Sequence, residues 1–451
     1  MKKILYAAMA VVMVLAVLGL GACKKNEPVE DKGKVTLRAL NYLDLTHANS
    51  SDDLSLIWGR FETDNPDITI IREDLYNEPF HQKTEAYAAA GQLPDVLYAW
   101  PSGRSTTLHT KKLLKDLTPL IRRDGLDKVF APAAIDPSAQ GGGFVAILPI
   151  ALTSTHAFYI NNEVLRDCGL TPAKTYSDLK AQVPVLKAKG YDTVIMANAE
   201  SWVMQSCLFS LVAGRFGGEG WEQKILSGEA KFTDPDFVNA LKFIKTMYDD
   251  GVLGKATLGT NYGDVLGAFA SNKGAYLIDG DWRVGAFITD KTTKQALIDP
   301  AKQAEFIEIS IFPDIEGAKL NGSTSGILGT GFGMSAAIPA GSVREEAAWK
   351  LVKWLVSNEV ETLRVANGGV ATPSRIDIDI ASLALEPMQK AIVDLGSKYE
   401  TSTAVIDGVF HSDVFTPLND GLQELGIGSK TPEQIADTVQ QAFDNWRALN
   451  P

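Results

Sequence analysis

The sequence predicts an α/β protein with two lobes. Short apolar strands alternate with helical segments along the chain, and this alternation is typical of parallel sheets that carry helices on both faces. The chain has 451 residues, which is too many for one ordinary hydrophobic core even after an N-terminal leader is removed. We therefore expect two compact α/β lobes.

The N-terminus has the pattern of an exported lipoprotein. Two lysines precede an apolar run over residues 4–20, and the small residues at its end lead directly into Cys23. This arrangement resembles the lipobox of bacterial lipoproteins, so we predict a signal peptide over 1–22, a lipid on Cys23 and a flexible tether over 23–33. An uncleaved membrane anchor is the alternative, because an apolar run of this length can cross a bilayer.

The first elements after the tether predict a βαβ unit that is then extended. Alternating polar and apolar residues predict strands over 34–40 and 67–71, with a helix over 54–61 between them. A second helix is expected over 79–90, and a third strand follows over 94–100. Parallel pairing of these strands would form the sheet of the first lobe.

Later helices carry recognisable start signals. Thr175, Asp234 and Thr431 stand before helical stretches, and we expect their side-chain oxygens to accept hydrogen bonds from the first backbone N–H groups. The segment 345–358 has apolar residues at helical spacing with charges between them, so it should pack on a lobe and not bind ligand. A further strand is expected over 144–148, after three glycines.

Charge and composition exclude several functions. The formal net charge is −12, and no stripe of lysine and arginine suits nucleic acid. The five histidines are scattered without the spacing of a metal site, and no glycine loop has the spacing of a nucleotide site. We therefore expect neither a metal nor a cofactor.

Two cysteines remain besides the one predicted to carry lipid. Cys168 and Cys207 would have the opportunity to pair in an oxidising compartment. The apolar residues on either side of each also suit two thiols that are buried separately. The sequence leaves both interpretations open.

Seven motifs resemble, in the same order along the chain, those of the family 1 extracellular solute-binding proteins. They include an Asn-Pro-Asp turn between a helix and a strand, a Leu-Pro-Asp-Val strand entry, and a strand that ends in Asp-Gly-Asp-Trp. The motifs that carry the resemblance occupy residues 61–68, 93–96, 117–120, 158–179, 274–282, 347–359 and 368–373. Together they span nearly the whole chain after the tether.

The resemblance implies a periplasmic-binding-protein fold, type II-like, with two lobes, a hinge and a ligand cleft between them. By analogy, lobe one would comprise 34–151 and 283–338, and lobe two would comprise 152–282 and 339–451. The resemblance also implies a monomer that captures a small molecule, such as a sugar, and passes it to the permease of an ABC importer. The protein would be held on the outer side of a membrane by its lipid.

Several aromatic and charged residues stand where the strands of such a protein end. Sugars present apolar faces and hydroxyl groups, so a sugar site combines aromatic plates with planar hydrogen-bonding groups. The carboxyl ends of parallel strands meet at one edge of a sheet, where clefts form. The candidate ligand-binding residues are Tyr42, Asp44, Trp100, Glu200, Trp202, Asp279, Trp282 and Arg375. Of these, Asp279 and Trp282 also match the cleft-lining motif of the family.

Two other classes of function remain as alternatives. A glycoside-processing enzyme needs two opposed carboxylates, and the sequence leaves open whether Glu200 and Asp279 face each other. No Gly-x-Ser-x-Gly nucleophile motif is present, so we expect a binding protein and not an enzyme. A surface adhesin or scaffold that shares the fold would lack aromatic plates in its cleft.

Overall fold

The computed structural model describes residues 34–45, 52–101, 103–140, 143–291, 293–398 and 402–450. The predicted signal peptide, the lipidation site at Cys23 and the tether lie outside these residues. Across the described parts of the chain, no helix combines the length and the apolar character that crossing a membrane requires.

The strands are short and fall into three sheets. Their bounds are β1 Val35–Tyr42, β2 Ile68–Leu75, β3 Val96–Ala99, β4 Ile147–Pro149, β5 Leu152–Ser154, β6 Ala157–Asn161, β7 Asp192–Ile195, β8 Gly274–Asp279, β9 Ile307–Ser310, β10 Thr324–Leu328, β11 Gly331–Met334 and β12 Ser402–Ala404.

Helices connect and cover these sheets. The α-helices are Arg60–Asp64, Glu78–Ala90, Thr106–Thr110, Thr118–Asp124, Asn162–Asp167, Tyr176–Ala188, Trp202–Met204, Ser210–Gly217, Trp221–Ser227, Pro235–Asp249, Asp264–Ala270, Val284–Phe287, Pro300–Phe306, Val343–Leu355, Asn358–Ala366, Pro387–Lys398, Ile406–Val409, Ser412–Ile427 and Pro432–Leu449. Wider π-helical turns occupy Asp53–Gly59 and Gln205–Phe209. Short 3₁₀ turns occupy Gly103–Ser105, Leu126–Lys128, Pro132–Ile135, Pro137–Gln140, Lys255–Gly259, Asp281–Arg283 and Ile380–Ser382.

The first sheet has the order β2-β1-β3-β11-β4. The pairs β1–β2 and β1–β3 are parallel, as the sequence predicts. The strand expected over 144–148 is found at 147–149 as β4. Strand β11 runs antiparallel to both β3 and β4, so the completed sheet is mixed and not wholly parallel.

The second sheet has the order β7-β8-β6-β9. Strand β8 pairs parallel with β7, whereas β6 pairs antiparallel with β8 and β9. Every residue of β6 and of β8 is buried. A strand that is buried on both faces needs apolar side chains on both, which explains the nearly continuous apolar runs in these two strands.

A small third sheet, with the order β12-β10-β5, lies where the chain passes between the other two. Along the chain, β5 comes between β4 of the first sheet and β6 of the second, and β10 directly precedes β11. The crossings are tight: a Cβ on Gly329 would lie 1.4 Å from the carbonyl oxygen of Ala151, and one on Gly331 would lie 2.0 Å from that of Leu148. Only glycine fits at these two positions.

The buried apolar side chains divide the chain differently from the expected lobe boundaries. Helix Val343–Leu355 packs on the first sheet, because Ala348, Trp349 and Leu351 join the same buried cluster as the side chains of β1 and β3. Residues between Val284 and Ile315 join the cluster of the second sheet, since β9 pairs with β6. By the resemblance, 283–338 belongs to lobe one and 339–451 to lobe two, so the stretches 284–315 and 347–360 lie in the opposite lobe from the one expected.

Two of the three predicted helix caps are confirmed. Thr175 and Thr431 each form a capping box with the residue three positions later. Asp234 does occupy the N-cap position, but its side chain accepts from the backbone N–H of Lys231 at 2.8 Å and leaves the helix uncapped. The two cysteines are both free thiols, so they do not pair, but only Cys207 is buried and Cys168 is partly exposed.

Candidate functional site

A cluster of aromatic side chains forms at the carboxyl ends of the first three strands. Tyr42 ends β1 and Trp100 follows β3, and their rings are 5.1 Å apart in an edge-to-face arrangement. Tyr76, directly after β2, lies 5.0 Å from the ring of Tyr42. His81 lies 4.6 Å from Trp100 on the other side. The three parallel strands thus deliver one aromatic residue each to the same edge.

Burial keeps the titratable members of this cluster neutral. It raises the pKa of the Tyr42 phenol well above its ordinary value, with the nearby phenols of Tyr76 and Tyr98 adding to the effect. Burial also lowers the pKa of His81 to about 3, helped by the charge of Arg104. The Tyr42 phenol and the His81 imidazole are therefore uncharged near neutral pH.

A second aromatic wall stands on the second sheet. Trp202, Tyr262 and Trp282 pack together, with ring centroids 5.1 Å apart between Trp202 and Tyr262 and 6.4 Å apart between the two tryptophans. Trp282 rests on the backbone of Gly280, where a Cβ would lie 2.2 Å from the indole. Both tryptophans remain partly exposed, which suits a stacking surface.

The Trp202 indole has an unused donor. Its Nε1 is buried, and among the described residues no hydrogen-bond partner lies within reach. A buried N–H of this kind costs free energy unless a partner arrives. A hydroxyl group of a bound molecule would supply one.

A buried ion pair lies behind the second wall. Arg283 donates from Nε to Oδ2 of Asp279 at 2.5 Å, and the two side chains are 8% and 1% exposed. The other oxygen of Asp279 accepts from the backbone N–H of Gly280 at 2.8 Å and from the Tyr262 hydroxyl at 3.2 Å. Asp279, predicted as a ligand contact, is thus fully engaged inside the protein and supports the wall from behind.

Glu200 also supports the wall. Its Oε2 accepts from the backbone N–H of Tyr262 at 2.9 Å, which ties the loop after β7 to the loop before helix Asp264–Ala270. One of its oxygens is committed to this bond, and the side chain is half-buried.

The aromatic cluster of the first lobe, which forms the first wall, lies near the second wall. Burial raises the pKa of the Tyr76 phenol, and the charges of Arg283, Asp44 and Asp279 also act on it. Tyr76 and Asp44 belong to the first sheet, whereas Arg283 and Asp279 belong to the second. Tyr76 of the first lobe therefore lies near the ion pair that supports the aromatic wall of the second.

An ion pair joins the lobes beside this cleft. Arg104, just after Trp100, donates from Nε to Oδ2 of Asp407 at 2.8 Å, with the side chains 11% and 7% exposed. Asp407 follows β12 and lies in a helix that packs on the 3₁₀ turn Gly103–Ser105. The guanidinium also lies 5.5 Å from the ring of Phe415.

Arg375 does not join the candidate site. Its guanidinium binds Asp377 at 2.6 Å, donates to the carbonyl of Val356 and lies 5.3 Å from the ring of Phe130. Val356 and Phe130 belong to the buried cluster of the first sheet, and none of the three partners is a member of either aromatic wall. We therefore leave Arg375 out of the proposed site.

Three members of the site were missed by sequence reasoning. Tyr76 directly follows β2, and Tyr42 is the last residue of β1, so the strand-end argument would have found Tyr76 if applied to every strand. Tyr262 lies in a loop and Arg283 in a 3₁₀ turn, and neither position carries a local signal. Across the described residues, no group of three or more histidine, cysteine or acidic side chains is arranged to hold a metal.

Comparisons with known proteins agree with this architecture. A family model described as bacterial extracellular solute-binding protein matches residues 47–362. The maltotriose-binding protein of Pyrococcus abyssi is 25% identical over 298 residues, which cover 65% of this chain and 57% of that protein. The multiple sugar-binding protein of Streptococcus mutans is 23% identical over 273 residues, covering 59% of this chain and 62% of that protein. The chain thus spans less than two thirds of the length of these curated relatives.

A solved structure shows the same fold over almost the whole chain. The structure of a chitin oligosaccharide binding protein superposes with a TM-score of 0.79 at 21% identity, and the match covers 91% of this chain and 98% of that one. This superposition confirms the expected two-lobed α/β architecture. Since the family model matches more than half of the chain, the protein belongs to the family of bacterial extracellular solute-binding proteins.

Proposed function

We propose that this protein captures a carbohydrate in the cleft between its two aromatic walls and delivers it to an ABC importer. The single observation that carries the proposal is that each lobe carries an aromatic wall and that the two lie near each other. Tyr42, Tyr76 and Trp100 form one and Trp202 and Trp282 belong to the other, and the charges behind the second wall act on Tyr76. Aromatic faces on both sides of a cleft suit the apolar faces of sugar rings. The names of the two curated relatives, both sugar-binding, support the same class of ligand.

The mechanism is capture without covalent chemistry. Ligand would enter the open cleft, and contacts from the second wall would favour the closed arrangement of the lobes by their differential affinity. Polar groups around the walls, including the unused Nε1 of Trp202 and the carboxylate of Asp44, would bind the hydroxyl groups of the sugar.

The placement of the acidic residues argues against a glycoside hydrolase. Hydrolysis needs one carboxyl group as acid and another as base or nucleophile, both open to the substrate. Asp279 is buried and paired with Arg283, and Glu200 accepts from the backbone of Tyr262. These two carboxylates are used to build the wall, which supports a binding role.

We further propose that the protein works as a monomer on the outer side of a membrane, held there by a lipid on Cys23. The family is extracellular, and the small residues before Cys23 resemble a lipobox. The closed form would present both lobes to the permease. Lipidation is tested by mass spectrometry of the membrane-bound protein and of Cys23→Ser, which should appear as an unlipidated, soluble form.

The carbohydrate proposal is tested by calorimetric titration of protein that has been unfolded and refolded to remove carried ligand. The panel is maltotriose, chitotriose, xylotriose, raffinose and galactose. We expect at least one to bind, and Trp202→Ala to weaken its binding about tenfold or more, since burying a large apolar side chain contributes about 1.5–3 kcal/mol and tenfold corresponds to about 1.4 kcal/mol. Trp446→Ala is the matched control, because Trp446 packs on Phe443 and His411 away from the cleft. Absence of binding to every member of the panel would refute the carbohydrate proposal.

A further inference from the structure

The buried pair behind the second wall is an unusual way to stabilise a lobe. Arg283 and Asp279 have lost nearly all contact with water, and the desolvation of two charges offsets much of their attraction. Well-packed apolar side chains of the same volume often stabilise a protein at least as well. Stability alone therefore does not explain an arginine here.

The contacts of Arg283 use the planar shape of its guanidinium. Nε binds Asp279, the terminal nitrogen donates to the carbonyl oxygen of Tyr262, and the carbon of the guanidinium lies 3.3 Å from the centroid of the Tyr262 ring. A single side chain thus fixes the backbone and the ring of Tyr262 at once. Lysine has a compact ammonium group and cannot make the stacked contact and the forked hydrogen bonds together.

The fixed Tyr262 in turn holds Trp282. The hydroxyl of Tyr262 donates to Oδ1 of Asp279 at 3.2 Å and accepts from Nε1 of Trp282 at 2.5 Å. One connected network therefore includes both carboxylate oxygens of Asp279, the Tyr262 hydroxyl as donor and acceptor, and the indole N–H of Trp282. The network ends at the partly exposed face of Trp282 in the cleft.

We propose that Arg283 is a positioning residue for ligand binding, which orients Trp282 through Tyr262 before the ligand arrives. This inference rests on the proposed function, because it assigns Arg283 a part in the same cleft. An indole that is already held in its binding orientation loses less conformational freedom on binding, so affinity is higher. Arg283 needs no contact with the ligand for this effect.

The test compares Arg283→Lys with Arg215→Lys. Arg215 is a matched control, since it is also buried in the second lobe and donates to the carbonyl oxygens of Phe312, Pro313 and Ser323. Two properties are measured: the dissociation constant for the tightest-binding carbohydrate of the panel, and the near-ultraviolet circular dichroism of Trp282, defined by difference from Trp282→Phe.

We expect Arg283→Lys to raise the dissociation constant about tenfold, because a Trp282 that is no longer held in place has to be ordered when the ligand binds. The Trp282 signal should also fall. Arg215→Lys should lower the melting temperature but leave both properties unchanged. In the Trp282→Phe background, Arg283→Lys should have little further effect on affinity, because its target is already gone.

Two results overturn the proposal. One is an unchanged Trp282 signal and affinity in Arg283→Lys. The other is a loss of affinity in both lysine variants that follows the decrease in their melting temperatures. Such a result would indicate that Arg283 has only a general structural role. If Arg283→Lys does not fold, Tyr262→Phe decides, because it keeps the ring under the guanidinium and removes only the hydroxyl that holds Trp282.

The same experiment separates this inference from the proposed function. If the unmodified protein binds no carbohydrate, the proposed function is wrong. The circular dichroism of free Arg283→Lys and Tyr262→Phe still shows whether Arg283 positions Trp282. An unchanged signal in both variants then rejects the positioning role as well.

Discussion

Arg104 and Asp407 form an ion pair that joins the two lobes, with 2.8 Å between Nε and Oδ2. The pair lies beside the aromatic cluster of the first lobe, since the charge of Arg104 acts on both Tyr42 and His81. Because one partner belongs to each lobe, the pair stabilises the arrangement in which the walls approach each other.

We predict that Asp407→Asn favours the open arrangement. Removing one partner of a buried ion pair costs about 3–5 kcal/mol where the other charge stays buried, and opening exposes Arg104 to water. The radius of gyration of the free protein, measured by small-angle X-ray scattering, should increase, and ligand affinity should fall about tenfold or more. Lys115→Met is the control, because Lys115 and Glu345 form a similarly buried pair within one lobe. An unchanged radius of gyration in Asp407→Asn would contradict the prediction.

The buried carboxyl group of Asp281 predicts a loss of stability as the pH rises. Burial raises its pKa from 3.8 to about 7, although it accepts from the backbone N–H of Ser154 at 2.8 Å. The folded protein therefore binds a proton more tightly than the unfolded chain, and the free energy of unfolding falls as pH rises from about 4 to about 7. Each unit of pKa difference corresponds to about 1.4 kcal/mol, so the full effect is a few kcal/mol at most.

Asp281→Asn should remove this dependence while keeping an acceptor for Ser154. Urea unfolding at pH 5 and pH 8 measures the effect, and the variant should gain stability relative to the unmodified protein at the higher pH. Asp420→Asn, a change at an exposed position, is the control. Equal pH dependence in both variants would show that Asp281 is not responsible.

The buried imidazole of His156 predicts a loss of stability as the pH falls, which is opposite to the effect of Asp281. Its Nε2 accepts from the backbone N–H of Phe312 at 2.9 Å, so Nδ1 carries the proton and donates to the carbonyl of Cys207 at 2.6 Å. Burial lowers its pKa from 6.5 to about 3. Since the neutral form is favoured in the folded state, stability is complete above about pH 6.5 and is lost as the pH falls towards 3.

His156→Gln should reduce this loss of stability at acidic pH, because glutamine keeps a donor and an acceptor but does not titrate. At pH 7 the variant should be less stable by about 1–3 kcal/mol, since its amide cannot match both bonds. Thermal unfolding at pH 5 and pH 7.5 compares it with His411→Gln, at a half-buried position. The prediction is wrong if the drop in melting temperature between these pH values is as large in His156→Gln as in the unmodified protein.

The two free cysteines predict that reducing agents leave the stability of the folded protein unchanged. Cys207 is 0% exposed and Cys168 is partly buried, and both are free thiols. In Cys23→Ser, two thiols should react with Ellman's reagent after unfolding without reductant, and dithiothreitol should leave the melting temperature unchanged. In the folded protein Cys207 should be protected, because it is enclosed and burial raises its thiol pKa. Detection of fewer than two thiols in the unfolded chain would indicate a disulfide.

The sequence by itself determined the local elements and part of the site. Period-2 alternation located β1 and β2, the Thr175 and Thr431 signals located helix starts, and strand ends pointed to Tyr42 and Trp100. These features depend on neighbouring residues, since backbone hydrogen bonding and side-chain direction follow local rules. The ordered motifs also identified the family, because their order survives when individual residues change.

Only the tertiary structure decided which lobe each distant segment joins and what the charged residues do. Strand β11 pairs with β3 at Phe332 and Tyr98, and helix Val343–Leu355 follows it onto the first lobe. No local pattern encodes such a pairing, because it depends on packing between segments far apart in the chain. For the same reason Asp279 was predicted to contact ligand, whereas burial beside Arg283 and Tyr262 makes it a support for the wall.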